Sequence, residues 1–238
     1  MEKRGISHLE VIFAFIIFIS AVGFGLFFFN TGDSSRLVDT MLVYAFREIE
    51  QNTSTTLEVF SVNISAPLVQ GAIVAMNFSG IGGNVSVETY DGTVLSSKRG
   101  GSDGELVFVK SPDWNAEDFL FVRFNEEFGE DQAVGEVVHN ASWYRLGSSE
   151  KRAMISAKKF KLLNYSYYAD YRDLKSQENF NLPDRADFGF SLMFDNGDGI
   201  VAENTIPADF EVFSDSKRVE VLREDGSTVF ADLVVKVW

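Results

Sequence analysis

The sequence predicts an α+β protein. An N-terminal transmembrane helix continues into an amphipathic helix, and a mainly antiparallel, sandwich-like β domain with one further amphipathic helix follows. Three observations support this prediction: an uncharged apolar run near the N-terminus, apolar residues at helical spacing directly after it, and period-two alternation through most of the remaining chain.

The composition excludes several classes of function. The chain has 238 residues and a formal net charge of -14, so it lacks the basic surface that a nucleic-acid partner requires. Because of this charge, we expect no nucleic-acid partner. The chain also has no cysteine, which excludes disulfides, thiol catalysis and cysteine-ligated zinc.

The first element is the uncharged run Val11–Phe29. At about 1.5 Å per residue the run gives about 28 Å of helix, close to the hydrocarbon thickness of a bilayer. Lys3 and Arg4 precede the run, and basic residues prefer the cytoplasmic side. The sequence therefore predicts a single-pass protein of the cell membrane, in contact with membrane lipid, with its C-terminal domain outside the cell.

The residues before the run carry a more specific pattern, Lys3-Arg4-Gly5-Ile6-Ser7-His8-Leu9-Glu10. The pattern resembles the class III signal peptide of type IV pilin-like proteins, especially the archaeal ones. The resemblance implies that a prepilin peptidase recognises Lys3, Arg4, Gly5 and Ile6 and cuts after Gly5. Glu10 would then be the fifth residue of the mature chain, with the apolar segment directly after it.

Glu10 has two interpretations. An unpaired carboxylate at the edge of an apolar helix costs several kcal/mol to bury, so it needs a partner or water. The resemblance implies an assembly role, in which Glu10 pairs with the N-terminal ammonium that cleavage creates on Ile6 of a neighbouring subunit. Alternatively, Glu10 marks the membrane interface and reaches water.

The second element is an amphipathic helix that follows the apolar run with a kink at Gly32 and ends near Asn52. Its apolar positions are Leu37, Val38, Met41, Leu42, Ala45 and Ile49. With the resemblance, this gives three parts: a leader at 1–5, the N-terminal helix at 6–52, and a β-rich extracytoplasmic domain at 53–238.

Within that domain, period-two segments and turn pairs predict strands and hairpins. Ser156 is predicted to open the further helix, which ends before Pro183. The predicted hairpin turns lie at Asp91-Gly92, Asn196 to Gly199, and Asp225-Gly226, and a last strand runs from Val229 to Trp238.

Asparagine sequons form a surface signal. Random placement predicts roughly two of them, and the chain has more. Because strand ends and turns are rich in Asn and Ser, the excess has a structural explanation as well as a chemical one. The possible glycosylation sites are Asn52, Asn63, Asn77, Asn84 and Asn140; Asn164 also fits the pattern, at the edge of the apolar helical stripe.

The sequence favours a structural protein over an enzyme. His8 and His139 are the only histidines, and no H-E-x-x-H, P-loop or G-x-S-x-G motif is present. We expect no cofactor and no metal. The predicted function is a type IV pilin-like subunit, a pilin or pseudopilin, with like subunits as partners through the N-terminal helix. The alternative is a non-polymerising, single-pass membrane-anchored binding or envelope protein.

Overall fold

The computed structural model describes residues 8–65, 71–110, 119–129, 137–138, 143–176, 179–183 and 185–238. Its helices are α1 (His8–Thr53), α2 (Ala157–Ala169) and α3 (Tyr171–Lys175). Its strands are β1 (Ser54–Ile64), β2 (Ile73–Asn77), β3 (Asn84–Thr89), β4 (Val94–Gly100), β5 (Leu106–Lys110), β6 (Phe119–Asn125), β7 (Val137–Val138), β8 (Tyr144–Ser156), β9 (Phe188–Phe194), β10 (Gly199–Ala202), β11 (Phe213–Leu222) and β12 (Thr228–Val237).

The described strands form one twelve-stranded sheet in the order β10-β9-β12-β11-β8-β1-β6-β3-β4-β5-β2-β7. Most neighbours are antiparallel. The exceptions are β8 with β11 and β2 with β7, which pair in parallel over two residue pairs each. The sheet is therefore mixed.

The first half of the sheet closes on its own core. Strands β1 to β6 all contribute buried side chains to one apolar cluster. Phe60, Phe78 and Phe124 meet edge to face within it, with ring centroids 5.1–5.7 Å apart. The backbone N–H of Asn77 donates to the Tyr144 hydroxyl at 3.0 Å, so the β2 end of the sheet returns towards β8.

The second half is a sheet of β9 to β12 covered by helices. The C-terminal part of α1 buries Met41, Leu42, Ala45 and Ile49 in the same apolar cluster as α2, α3 and these strands. Tyr167 of α2 lies at its centre and is 1% exposed. This cluster fixes the second half of α1 to the body.

The helices differ from the prediction at two points. The first helix runs without a break from His8 to Thr53, so no new helix begins near Gly32. The predicted helix after Ser156 is divided into α2 and α3 at Asp170, whose side chain accepts a 3.1 Å hydrogen bond from the Asp173 N–H and caps the second piece.

The predicted fold class is wrong. A single-pass anchor needs about 20 consecutive, predominantly apolar residues in one helix. Within the part of the chain that the structure describes, no helix combines the length and the apolarity for a membrane span. The predicted transmembrane helix is therefore wrong, and so is the single-pass membrane localisation. The fold is instead a large mixed sheet with three helices in the described residues.

Candidate assembly surface

The N-terminal half of α1 presents apolar side chains to solvent. From Glu10 to Leu26 every described residue except the half-buried Gly25 is exposed, although α1 is continuous with the buried segment that ends at Thr53. The C-terminal end of the helix is thus fixed in the body, while the described side chains from residue 10 to residue 26 face solvent. We call Glu10–Leu26 the exposed segment.

The exposed segment is apolar around its whole circumference. Its large apolar side chains are between 43% and 67% exposed, and they include the consecutive run from Phe15 to Ile19, which covers more than one helical turn. A helix that is apolar all round is normally buried. These side chains are Val11, Ile12, Phe13, Phe15, Ile16, Ile17, Phe18, Ile19, Val22, Phe24 and Leu26.

Glu10 lies in the first turn of α1 with its side chain exposed. A carboxylate there is favoured by the positive end of the helix dipole and is solvated in the single chain. The predicted processing residues Lys3, Arg4, Gly5 and Ile6 lie outside the described residues. The structure therefore places Glu10 at the start of the exposed segment.

The junction between α1 and the body is firmly held. The Thr53 hydroxyl donates to the Ile49 carbonyl at 2.6 Å, and Lys159 Nζ of α2 donates to the Ser54 carbonyl at 2.8 Å. Lys217 of β11 forms an ion pair with Glu50. These contacts therefore join the C-terminal end of α1 to α2 and β11.

The predicted glycosylation sites differ in accessibility. Asn52 and Asn77 are exposed, while Asn63 and Asn84 are half-buried. The Asn84 Nδ2 atom, to which a glycan would attach, donates to the Phe128 carbonyl at 2.5 Å. Asn140 lies outside the described residues. Asn52 and Asn77 are therefore the more accessible of the four described sites.

Sequence analysis missed a buried polar row along β6 and the residues after it. The Arg123 guanidinium donates to Glu88 and to the Gly226 carbonyl, and Asn125 Nδ2 donates to Thr55 Oγ1 and the Thr56 carbonyl, both at 2.9 Å. These contacts join β6 to β3, β1 and the β11–β12 turn. The available signal was a polar residue at every second position from 123 to 127.

Glu127 ends this row and is 8% exposed. The Ser156 hydroxyl donates to its Oε2, while Oε1 has no hydrogen-bond partner and lies 3.9 Å from Lys159 Nζ. Across the described residues, no group of three or more His, Asp or Glu side chains has a metal-binding arrangement. Through the contacts of Arg123 with Gly226 and of Glu127 with Ser156, the row connects the two halves of the sheet.

Comparison of the chain with protein-family models, with curated proteins and with solved structures gives no match.

Proposed function

We propose that the protein is a structural subunit of the type IV pilin-like class, a pilin or pseudopilin, that joins like subunits through the exposed segment of α1. The observation that supports this function is a helix docked by its second half and apolar on all sides along its first half. A helix of this kind suits an assembly whose centre is a bundle of such helices.

The energetics favour association of the exposed segments. Full burial of one large apolar side chain contributes about 1.5–3 kcal/mol. Association costs about 4–15 kcal/mol in lost rigid-body freedom, so a few such side chains from each copy offset it. The eleven exposed apolar side chains between Val11 and Leu26 exceed that requirement.

Glu10 takes the pairing role in this proposal. Once neighbouring helices cover the exposed segment, an unpaired carboxylate at its edge is strongly unfavourable. Cleavage between Gly5 and Ile6 by a prepilin peptidase supplies an ammonium on Ile6, and that ammonium pairs with Glu10 of a neighbouring subunit. The partners proposed are thus the peptidase and like subunits, with no catalytic activity and no cofactor.

The alternative of a membrane-anchored binding or envelope protein depends on the transmembrane helix that the structure contradicts. We therefore propose only the assembly function.

Cysteine cross-linking tests the assembly. The chain has no cysteine, so Phe18→Cys introduces a unique thiol in the exposed segment. We expect disulfide-linked dimers after mild oxidation and sedimentation as oligomers. Tyr165→Cys is the matched control, because Tyr165 is an aromatic residue on the body and is 73% exposed. Equal cross-linking of both variants, or sedimentation as a monomer, would overturn the proposal.

Two further measurements test Glu10 and the cleavage. Glu10→Ala should reduce the assembled fraction at least tenfold while the folded state is unchanged, and Asp39→Ala, at another exposed acid of α1, should not. The mass of the mature chain should correspond to a start at Ile6. If Glu10→Ala assembles as well as the unchanged protein, Glu10 has no pairing role. If the chain is not cleaved, Ile6 carries no ammonium with which Glu10 could pair.

A further inference from the structure

Strands β8 and β11 are neighbours in the sheet over two residue pairs, Ile155 with Val221 and Ser156 with Leu222. Before these pairs the two strands separate. Among the described residues, β8 pairs with β1 alone from 144 to 154, and β11 pairs with β12 alone from 213 to 220. We call the opening between these two strand edges the fork.

The charges of the two strands explain why they separate. If the parallel register continued, Lys151 would face Lys217 and Arg152 would face Arg218. Like charges directly opposite each other destabilise a strand pair. These like charges therefore disfavour closure of the fork by the chain's own two edges.

The fork is open and accessible. A cavity of about 310 Å³ lies at its vertex, between residues 153–155 of β8, residues 217–220 of β11 and the end of α1. Residues 145–153 and 214–218 are exposed on both faces of their strands. Unpaired edges of this kind are where another strand adds.

We propose that a second copy of this chain occupies the fork, with the β8 edge of one copy pairing antiparallel with the β11 edge of the other. An antiparallel register exists that places Glu150 opposite Lys217 and Arg152 opposite Asp215. Opposite charges directly across a strand pair are stabilising. The basic residues that keep one chain's own edges apart thus favour the edge of another copy.

The ion pairs of the single chain permit this exchange. Arg152 pairs with Glu150 of its own strand and, at 3.6 Å, with Glu220 of β11, and Lys217 pairs with Glu50 of α1. The side chains of Glu150, Arg152 and Lys217 are 57%, 47% and 58% exposed. Exposed pairs contribute about 0–1 kcal/mol, so changing partners costs little.

This contact goes beyond the proposed function, because it uses the body and leaves the exposed segment of α1 untouched. Its two sides are different surfaces, so after a single contact one copy retains an open β11 edge and the other retains an open β8 edge. Such head-to-tail contacts extend into rings or open chains.

Mixing two single-cysteine variants tests the register. Ala153→Cys and Ser214→Cys are both exposed and lie opposite each other in the proposed antiparallel pairing. Within one chain, the parallel register would place Ser214 beside Ser148, about 16 Å along the strand from Ala153. That distance exceeds the roughly 7 Å that a disulfide can bridge, and each chain carries one thiol only.

We expect the mixed sample to form the 153–214 heterodimer on mild oxidation, identified by mass. Ser96→Cys, on the exposed side of β4, replaces Ala153→Cys in the control mixture and should give at least tenfold less product. Equal yields from the two mixtures would overturn the proposal.

Charge reversal distinguishes specific pairing of Glu150 with Lys217 from non-specific association of the chains. Glu150→Lys and Lys217→Glu should each lower the 153–214 yield at least fivefold, and the double variant should restore it. Absence of rescue in a folded double variant would contradict the register. Phe18→Asp in every chain should leave the yield unchanged, so failure of α1 assembly and failure of the fork contact are distinguishable.

Discussion

The Tyr171 hydroxyl donates a 3.0 Å hydrogen bond to Oδ1 of Asp187, and the same oxygen accepts from Lys175 Nζ at 3.1 Å. The Phe188 N–H completes the arrangement by donating to the Tyr171 hydroxyl at 3.0 Å. A single phenol thus joins α3 to the start of β9, at the edge of the apolar cluster that holds α1.

Replacing that phenol should destabilise the body without creating a cavity. Tyr171→Phe removes the bond to Asp187 and leaves the Phe188 N–H without its acceptor. The expected loss is about 1–3 kcal/mol in the free energy of unfolding, measured by urea denaturation. Tyr165→Phe, at a residue 73% exposed, should change it by less than about 0.5 kcal/mol. Equal effects would show that the hydrogen bonds add no stability.

Stability should fall at alkaline pH because of two phenols, the buried Tyr167 and the partly buried Tyr171. Burial raises the pKa of Tyr167 and of Tyr171 well above the ordinary value of about 10. Since the folded-state pKa exceeds the unfolded one, this stability is complete below about pH 10 and is lost as the pH rises further. Unfolding free energies measured from pH 9 to 11.5 should decline less steeply for Tyr171→Phe. Parallel pH profiles would contradict the assignment.

Breaking the Arg123–Glu88 pair should be costly because both side chains are largely buried, with 7% and 22% exposed. Arg123→Met leaves the Glu88 carboxylate without its partner, and the expected loss is about 3–5 kcal/mol. Adding Glu88→Met should recover part of it, since the remaining charge is removed. Arg152→Met, at a side chain 47% exposed, should cost less than about 1 kcal/mol. Denaturant titration of these three variants and of Glu88→Met alone checks this, and strictly additive losses would refute the coupling.

Alanine substitution at two glycines with similar backbone angles distinguishes the cost of conformational strain from the cost of a steric clash. Gly83 has φ +82° and Gly92 has φ +85°. A Cβ on Gly83 would lie 2.8 Å from the Asn125 carbonyl carbon, whereas one on Gly92 meets nothing within 4 Å. Gly92→Ala should cost about 1–2 kcal/mol from φ alone, and Gly83→Ala about 1–3 kcal/mol more. Thermal or urea unfolding of the two variants measures the difference in their stability. Equal losses would show that the Asn125 backbone shifts to make room for the added Cβ.

Features set by local chemistry could be predicted from the sequence. The Asp91-Gly92 and Asp225-Gly226 turns connect β3 to β4 and β11 to β12 as predicted, because only a few residue pairs suit such turns. The start of α2 is also confirmed, since the Ser156 side chain accepts a 2.9 Å hydrogen bond from the Lys159 N–H.

Features set by distant contacts could not be predicted. The period-two pattern of β6 correctly indicates that Leu120, Val122 and Phe124 are buried, but it predicts solvent around Arg123 and Asn125, which are 6% and 3% exposed. Their partners lie far away in sequence. The division between α2 and α3 was missed because Asp170 caps a new helix within an unbroken apolar stripe.

The exposed segment of α1 is where sequence reasoning reached a wrong conclusion from a correct observation. The sequence shows the apolar run, and the length of the run predicts a membrane span, which the structure contradicts for the described residues. The assignment of Glu10 to assembly stays a prediction. The fork could not be anticipated, because it depends on the parallel register of β8 and β11, which no local pattern encodes.

The position of β12 has a consequence for biosynthesis. This strand is central, pairing with β9 on one side and β11 on the other, although both precede it in the chain. During translation, the apolar faces of β9 and β11 therefore emerge before the strand that belongs between them. Until residues 228–237 leave the ribosome, neither strand has its β12 partner, so the nascent chain carries two unpaired strand edges that can mispair.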